Sequence, residues 1–144
     1  YFTISNKINM KELSIGIPTY NRENRLKKQL QSLLNQDLSE IEEIIVVDNN
    51  SNYNIKKFIE SLNSDKIKLI INPFNQGMST NMLNPFLYCK TKWLWLLSDD
   101  DITLKNSVNN VLKSIRESSS DTGLIQFSLF RNQKLQFYFL YSGK

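Results

Sequence analysis

The sequence predicts an α/β fold on a mostly parallel central sheet. Three observations point there. From Leu13 onward, short apolar runs alternate with segments of helical periodicity. The runs are apolar at nearly every position, as in strands covered on both faces. No internal repeat, low-complexity tract or linker breaks the alternation, and 144 residues make one compact domain, not comfortably two.

"LSIGI" (Leu13–Ile17) is the first strand, expected to stop at Pro18, with "PTYNREN" as a loop. Leu26, Leu30, Leu33 and Leu34 fall at i, i+4, i+7 and i+8, one face of a helix. "EIIVVD" is the second strand and "NNSNYN" its loop. Ile55, Phe58, Ile59 and Leu62 give the second helix. "KIKLII" is the third strand, followed by the loop "NPFNQGMST", where Gly77 can take backbone angles other residues avoid. Met78, Met82, Leu83, Phe86 and Leu87 suggest a third helix, interrupted near Pro85. "WLWLL" is the fourth strand, and Leu104, Val108, Val111, Leu112 and Ile115 mark the fourth helix. "GLIQFSLF" and "LQFYFLY" are two further strands joined by "RNQK". Met78, Met82, Cys89, Trp93 and Trp95 are expected in the core.

The ends carry expectations of their own. Met10, just ahead of "KELSIGIPTY", is a sensible native start, so residues 1–9 are expected to be an extension and the domain to run over 10–144. The aromatic strand Leu135 to Tyr141 closes the chain. As an exposed edge it would invite aggregation. Either the chain is a piece of a longer protein, cut short at its C-terminus, or this strand pairs with another copy in a homodimer.

Composition narrows the chemistry. With 18 basic and 14 acidic residues the net charge is +4, a mild bias that fits an anionic small ligand or a membrane surface. No dense Lys/Arg block marks a nucleic-acid partner. Histidine is absent, which removes histidine catalysis and His-ligated zinc or copper, so any metal is a hard cation on oxygen ligands. The lone Cys89 can form no intrachain disulfide and suits a reducing, cytoplasmic compartment. No run approaches the roughly 20 apolar residues of a membrane helix, and no secretory signal is visible.

Ligands of open parallel sheets sit outside the carboxyl ends of the strands. Three polar stretches fall there: "PTYNR", "DNNS" and "SDDD". In the last, Asp99, Asp100 and Asp101 follow a buried strand, where mutual repulsion is expensive. A solvated loop at the start of the next helix is the plain reading. A divalent cation, Mn²⁺ or Mg²⁺, shared with substrate phosphates is the functional one and resolves the repulsion. Asp48 either accepts hydrogen bonds from a ribose hydroxyl or base N–H, or caps its own loop. Tyr20 can stack on a base, Arg22 can meet a phosphate or support an acid, and Asn21 can cap the helix. Asn75 to Gly77 either bring backbone close to a ligand or form an ordinary turn. A G-x-G-x-x-G dinucleotide motif and a P-loop are both absent.

The stretches "LSIGIPTYNRENRLKKQLQSLLNQ", "EIIVVDNNSN", "INPFNQG" and "WLWLLSDDDI", in this order, resemble the family 2 glycosyltransferases with the GT-A fold. "NQGMSTNML" followed by "WLWLLSDDD" is most similar to the branch with abequosyltransferase-like enzymes. The resemblance implies a Rossmann-like sandwich with helices on both faces. It implies inverting transfer from a nucleotide-diphosphate sugar, commonly UDP-linked, with Mg²⁺ or Mn²⁺, to a glycan or glycolipid acceptor. Acting on a glycolipid would put the protein at the inner face of the plasma membrane, building surface polysaccharide. Pro18, Thr19 and Tyr20 would line the base pocket, Asp48 would hold base or ribose, and Asp99 would touch the ribose. Asp100 and Asp101, the aspartates of the DXD-type signature, would bind metal and diphosphate.

Two features depart from the family pattern. Asn81 and Met82 occupy a region where many members carry Arg. The family's general base is usually a carboxylate well past the DXD segment, and here only Glu117 and Asp121 follow Asp101 as acids. Both end the fourth helix pattern, so no base is assigned. Two rival readings stand beside transfer: a non-catalytic nucleotide-sugar-binding remnant, and an unrelated α/β domain that uses Mg²⁺ to bind phosphate.

Overall fold

The computed structural model describes residues 11–131 and 134–142. Residues 1–9, the expected extension, and the middle of the "RNQK" connector lie outside the described residues. The elements are β1 (Leu13–Thr19), α1 (Glu23–Leu34), β2 (Ile41–Asp48), α2 (Ile55–Ser61) and β3 (Ile67–Ile71). They continue as α3 (Met78–Tyr88), β4 (Trp93–Leu96), α4 (Ser107–Glu117), β5 (Leu124–Arg131) and β6 (Lys134–Ser142). One six-stranded sheet runs in the order β3-β2-β1-β4-β6-β5. The first four strands are mutually parallel, and β6 is antiparallel to both β4 and β5. Among the described residues, no helix is long and apolar enough to cross a membrane.

The terminal strand corrects an expectation. It is not an edge: β4 takes one side of β6 and β5 the other. Its register with β4 runs over Phe139–Ser142, where β6 is paired on both sides within the chain, and stops there, while its register with β5 continues to Lys134.

The first strand also runs further than expected, through Pro18 to Thr19. The next strand over explains why. The register of β1 with β4 ends at Gly16 opposite Leu96, whereas its register with β2 continues to Thr19 opposite Asp48. The Gly16 carbonyl accepts from Leu97 on the β4 side, and the Thr19 carbonyl accepts from Asn49 on the β2 side. Alternation puts the imide nitrogen of Pro18 on the β4 side, past the end of that ladder, where no donor is needed.

Alternation also divides the packing. Leu13, Ile15 and Ile17 join Leu26, Leu30 and Leu33 of α1, Trp93 and Trp95 of β4, and the apolar faces of α2 and α4 in one buried cluster. Each such leucine contributes about 1.5–3 kcal/mol on burial. Cys89, expected in the core, is only half-buried, with its sulfur beside Thr91.

Helix α3 covers the opposite face. A Cβ added to Gly16 would stand 2.7 Å from the Pro85 Cβ, so β1 and α3 approach closely there. Here the sequence misled twice. The helix is not interrupted at Pro85 but continues to Tyr88, and Pro85 is on its buried face, filling the space that Gly16 leaves open. Met78 and Met82 are not core residues, being 76% and 43% exposed, while Asn81 and Asn84 point inward. The inward amides find partners at the strand ends, so polarity faces the sheet and apolar side chains face outward.

Candidate functional site

A cleft of about 430 Å³ opens at the carboxyl ends of the parallel strands. Pro18, Thr19, Tyr20 and Arg22 line it after β1, and Asn49 lines it after β2. Asn75, Gly77, Asn81 and Met82 contribute from the turn before α3 and from α3 itself, and Ser98, Asp99 and Asp101 from beyond β4. A smaller, mainly apolar cavity of about 250 Å³ adjoins it across Asp101, between Trp95, Val111 and Phe127. The larger cleft gathers the expected polar stretches and has two chemically distinct ends.

The β4 end is charged. The buried Asp99 accepts a hydrogen bond from the Thr19 hydroxyl (2.8 Å) and one from Arg22 Nη1 (3.0 Å). Asp100 accepts from Arg22 (3.4 Å) and Arg25 (3.0 Å), and from the Ser98 hydroxyl. The Ser98 hydrogen bond, aided by the two guanidinium groups against the cost of desolvation, holds the Asp100 carboxyl below the usual carboxylate range. Two arginines therefore supply much of the counter-charge that makes three adjacent aspartates tolerable. Asp99 and Asp101 line the cleft, whereas Asp100 is turned to the arginines and does not.

That geometry bears on a metal. Among the described residues, no three His, Cys, Asp or Glu side chains are grouped to hold an ion. A cation shared with phosphates needs only one or two carboxylates. Asp101 fits that demand: it lines the cleft and accepts from the Ser98 N–H at 3.3 Å. Both Asp99 oxygens are already engaged by Thr19 and Arg22.

The β2–β3 end is neutral. Asp48 does not reach the cleft. It is 1% exposed, and its carboxylate accepts from the Ser51 N–H (3.0 Å) and the Ser51 hydroxyl, capping its own loop. Its neighbour Asn49 lines the wall instead, within a set of buried amides that also holds Asn72, Asn81 and Asn84. Asn81 Nδ2 donates to the Thr19 and Val47 carbonyls (3.2 and 3.3 Å), tying α3 to the ends of β1 and β2. Gly77 has φ of +84°, and a Cβ there would meet only open space, so glycine is required by conformation and not by room. Asn21 is not a helix cap. It has φ of +53°, its side-chain oxygen accepts from Asn52 N–H (2.8 Å), and its N–H donates to Ser51, joining the first two loops.

The segment after the aspartates is braced by α1. The Thr103 N–H donates to Gln29 Oε1 (3.2 Å) and to Ser32 Oγ (3.1 Å), and the Val108 N–H donates to Gln36 Oε1 (3.1 Å). Sequence reasoning missed these residues. Gln29 left one signal: it lies between Leu26 and Leu30 on the leucine face and is fully buried.

The chain is 32% identical over 111 residues to the GalNAc(5)-diNAcBac-PP-undecaprenol beta-1,3-glucosyltransferase of Campylobacter jejuni, covering 75% of this chain and 36% of that protein. It is 26% identical over 96 residues to the Escherichia coli UDP-Glc:alpha-D-GlcNAc-diphosphoundecaprenol beta-1,3-glucosyltransferase WfgD, covering 67% of this chain and 38% of that one. It therefore spans well under half the length of these relatives. Among solved structures, Staphylococcus aureus TarS 1-349 in complex with UDP-GlcNAc superposes with a TM-score of 0.66 at 24% identity, over 74% of this chain and 31% of that one. The Pyrobaculum calidifontis mannosyltransferase PcManGT, in complex with GDP-Man and Mn²⁺, gives 0.67 at 16% identity, over 78% and 34%. These likenesses establish the GT-A fold. The model for glycosyl transferase family 2 matches residues 14–138, so this chain belongs to glycosyl transferase family 2.

Proposed function

We propose that this chain is the donor-binding part of an inverting glycosyltransferase that takes a UDP-linked sugar with Mn²⁺ or Mg²⁺ and serves a glycan or glycolipid acceptor at the inner membrane face. One observation carries the reading: a single cleft with an arginine–aspartate end and a neutral amide end. Such a cleft matches a nucleotide diphosphate, whose pyrophosphate is charged and whose base is not. The UDP-Glc in the name of the E. coli relative, the undecaprenol-linked acceptors in both relatives' names and the Mn²⁺ of the mannosyltransferase complex support the details.

In this reading Tyr20 stacks on the base, Asn75 and Gly77 flank it beside Pro18 and Thr19, and Asp99 meets the ribose. Arg22 faces the diphosphate, and Asp101 holds the metal. The bound ion supplies Lewis-acid neutralisation of the leaving diphosphate. In the transfer, an acceptor hydroxyl oxygen bonds to the anomeric carbon as the bond to the phosphate oxygen breaks. The hydroxyl proton passes to a general base. Glu117 pairs with Lys113 (3.8 Å) at the far end of α4, and Asp121 lies beyond it, so neither is assigned that role. A thermal-shift screen of nucleoside diphosphates with and without Mn²⁺ tests the reading. UDP should raise the melting temperature more with Mn²⁺ than without; no shift from any nucleoside diphosphate would exclude it.

A further inference from the structure

Helix α1 carries a polar stripe beside its leucine face. Arg22, Arg25, Gln29, Ser32 and Gln36 succeed one another by three, four, three and four residues, the repeat of one helix face. Each of them holds the segment that follows β4, and in the same order. Arg22 meets Asp99 and Arg25 meets Asp100, both at 3.0 Å. Gln29 Oε1 and Ser32 Oγ both accept from the Thr103 N–H (3.2 and 3.1 Å), and Gln36 Oε1 accepts from the Val108 N–H (3.1 Å). The Ser32 and Thr103 hydroxyl oxygens also lie 2.6 Å apart. Asp101 falls in the step between Arg25 and Gln29, and it lines the cleft. Gln29 has a second distinction. It is fully buried and, among the described residues, its Nε2 finds no acceptor. The Thr103 N–H fixes which end of the amide is oxygen, so turning the amide over would not help. An unpaired buried donor costs stability, so packing alone does not account for glutamine at this position.

We propose that Gln29 and Ser32 are positioning residues for the metal: by fixing the backbone at Thr103 they hold Asp101 toward the cleft. This rests on the nucleotide-diphosphate reading and on the metal role given there to Asp101. Asp101 lies between two anchors on α1. On one side Arg25 fixes Asp100, and on the other Gln29 and Ser32 fix Thr103. A segment tied at both ends has few ways to turn its middle carboxylate aside, so little ordering is left when cation and diphosphate arrive. The first anchor is a solvent-exposed ion pair and holds weakly. The second is partly buried and grips a backbone N–H, so Thr103 cannot leave it without moving the main chain. Gln29 and Ser32 touch neither metal nor nucleotide in this scheme.

The test is the factor by which Mn²⁺ raises UDP affinity over its value in EDTA, measured by titration calorimetry for the parent chain, Gln29→Leu, Ser32→Ala and Ser32→Thr. Gln29→Leu takes an acceptor from Thr103 together with the unpaired donor, and Ser32 still accepts from Thr103, so this variant should fold as stably as the parent. Its Mn²⁺ factor should nevertheless fall about tenfold, as should that of Ser32→Ala, a loss typical of removing a group that supports a metal ligand. Ser32→Thr keeps the hydroxyl and should keep the factor. Affinity in EDTA should be the same in all four. A merely structural role would lower affinity with and without metal together. That result, or an unchanged factor in either folded variant that loses its acceptor, overturns the inference while leaving the donor reading intact. A parent that binds UDP equally with and without Mn²⁺ overturns the metal role of Asp101 and this inference with it. A parent that binds no nucleoside diphosphate at all overturns the donor reading as well.

Discussion

Asp100→Asn and Asp101→Asn alter adjacent residues, and only the second is expected to weaken ligand binding. Asp100 pairs with Arg22 at 3.4 Å and Arg25 at 3.0 Å, and its side chain is 38% exposed against 47% and 60% for the arginines. Pairs that wet contribute about 0.2–1 kcal/mol each. Removing the charge also relieves repulsion from Asp99 and Asp101, so Asp100→Asn should shift stability by no more than about 1 kcal/mol. Mn²⁺-dependent UDP binding should survive it. Asp101→Asn removes the carboxylate that faces the cleft. Losing a charge-assisted contact of about 3 kcal/mol weakens UDP about 100-fold in the presence of Mn²⁺. With EDTA present, parent and Asp101→Asn should bind UDP alike. Titration calorimetry with Mn²⁺ and with EDTA reads all of these quantities. Retained Mn²⁺ enhancement in Asp101→Asn, or its loss in Asp100→Asn, would refute the division of roles.

Three other substitutions or titrations probe the frame. Gly16→Ala forces a Cβ to 2.7 Å from the Pro85 Cβ and 3.2 Å from Leu94, so urea unfolding should show a loss of about 1–3 kcal/mol; an unmoved midpoint would mean that β1 and α3 are not in tight contact. Thr19→Val takes a 2.8 Å donor from the buried Asp99, and the same assay should register about 1.5–3 kcal/mol, against no change if that hydrogen bond is absent. Tyr53 is pushed up to about 12, first by burial and then by Asp48 and Glu23. The folded value lies above the ordinary 10.0, so its contribution to stability is present below pH 10 and lost as pH rises toward 12. Ultraviolet titration should show a late phenol that Tyr53→Phe removes.

Much of the frame was legible because burial writes periodicity. The leucines of α1 and the unbroken apolar run of β2 have one physical reading, and the structure follows it. Helix α3 was legible as a helix but not in its orientation. Its apolar residues lie around most of its circumference, and nothing local says that Asn81 and Asn84 would turn inward to meet carbonyls contributed by β1 and β2. The same limit hid the place of β6 between β5 and β4, since its pairing with β4 crosses α4 and β5, and it hid Gln29, whose partner is Thr103. At the site, proximity to a strand's carboxyl end located the loops correctly. Which member of each cluster faces the cleft depended on partners: Arg22 and Arg25, remote in sequence, draw Asp100 aside, and Ser51, close by in the same loop, occupies Asp48.

The most direct measurement is anomalous diffraction from crystals of this chain grown with UDP and Mn²⁺. One manganese peak is expected within bonding distance of Asp101 and of the diphosphate, with the uracil beside Asn75 and Arg22 near the phosphates. UDP bound elsewhere, or manganese coordinated by Asp100 with Asp101 turned away, would contradict it.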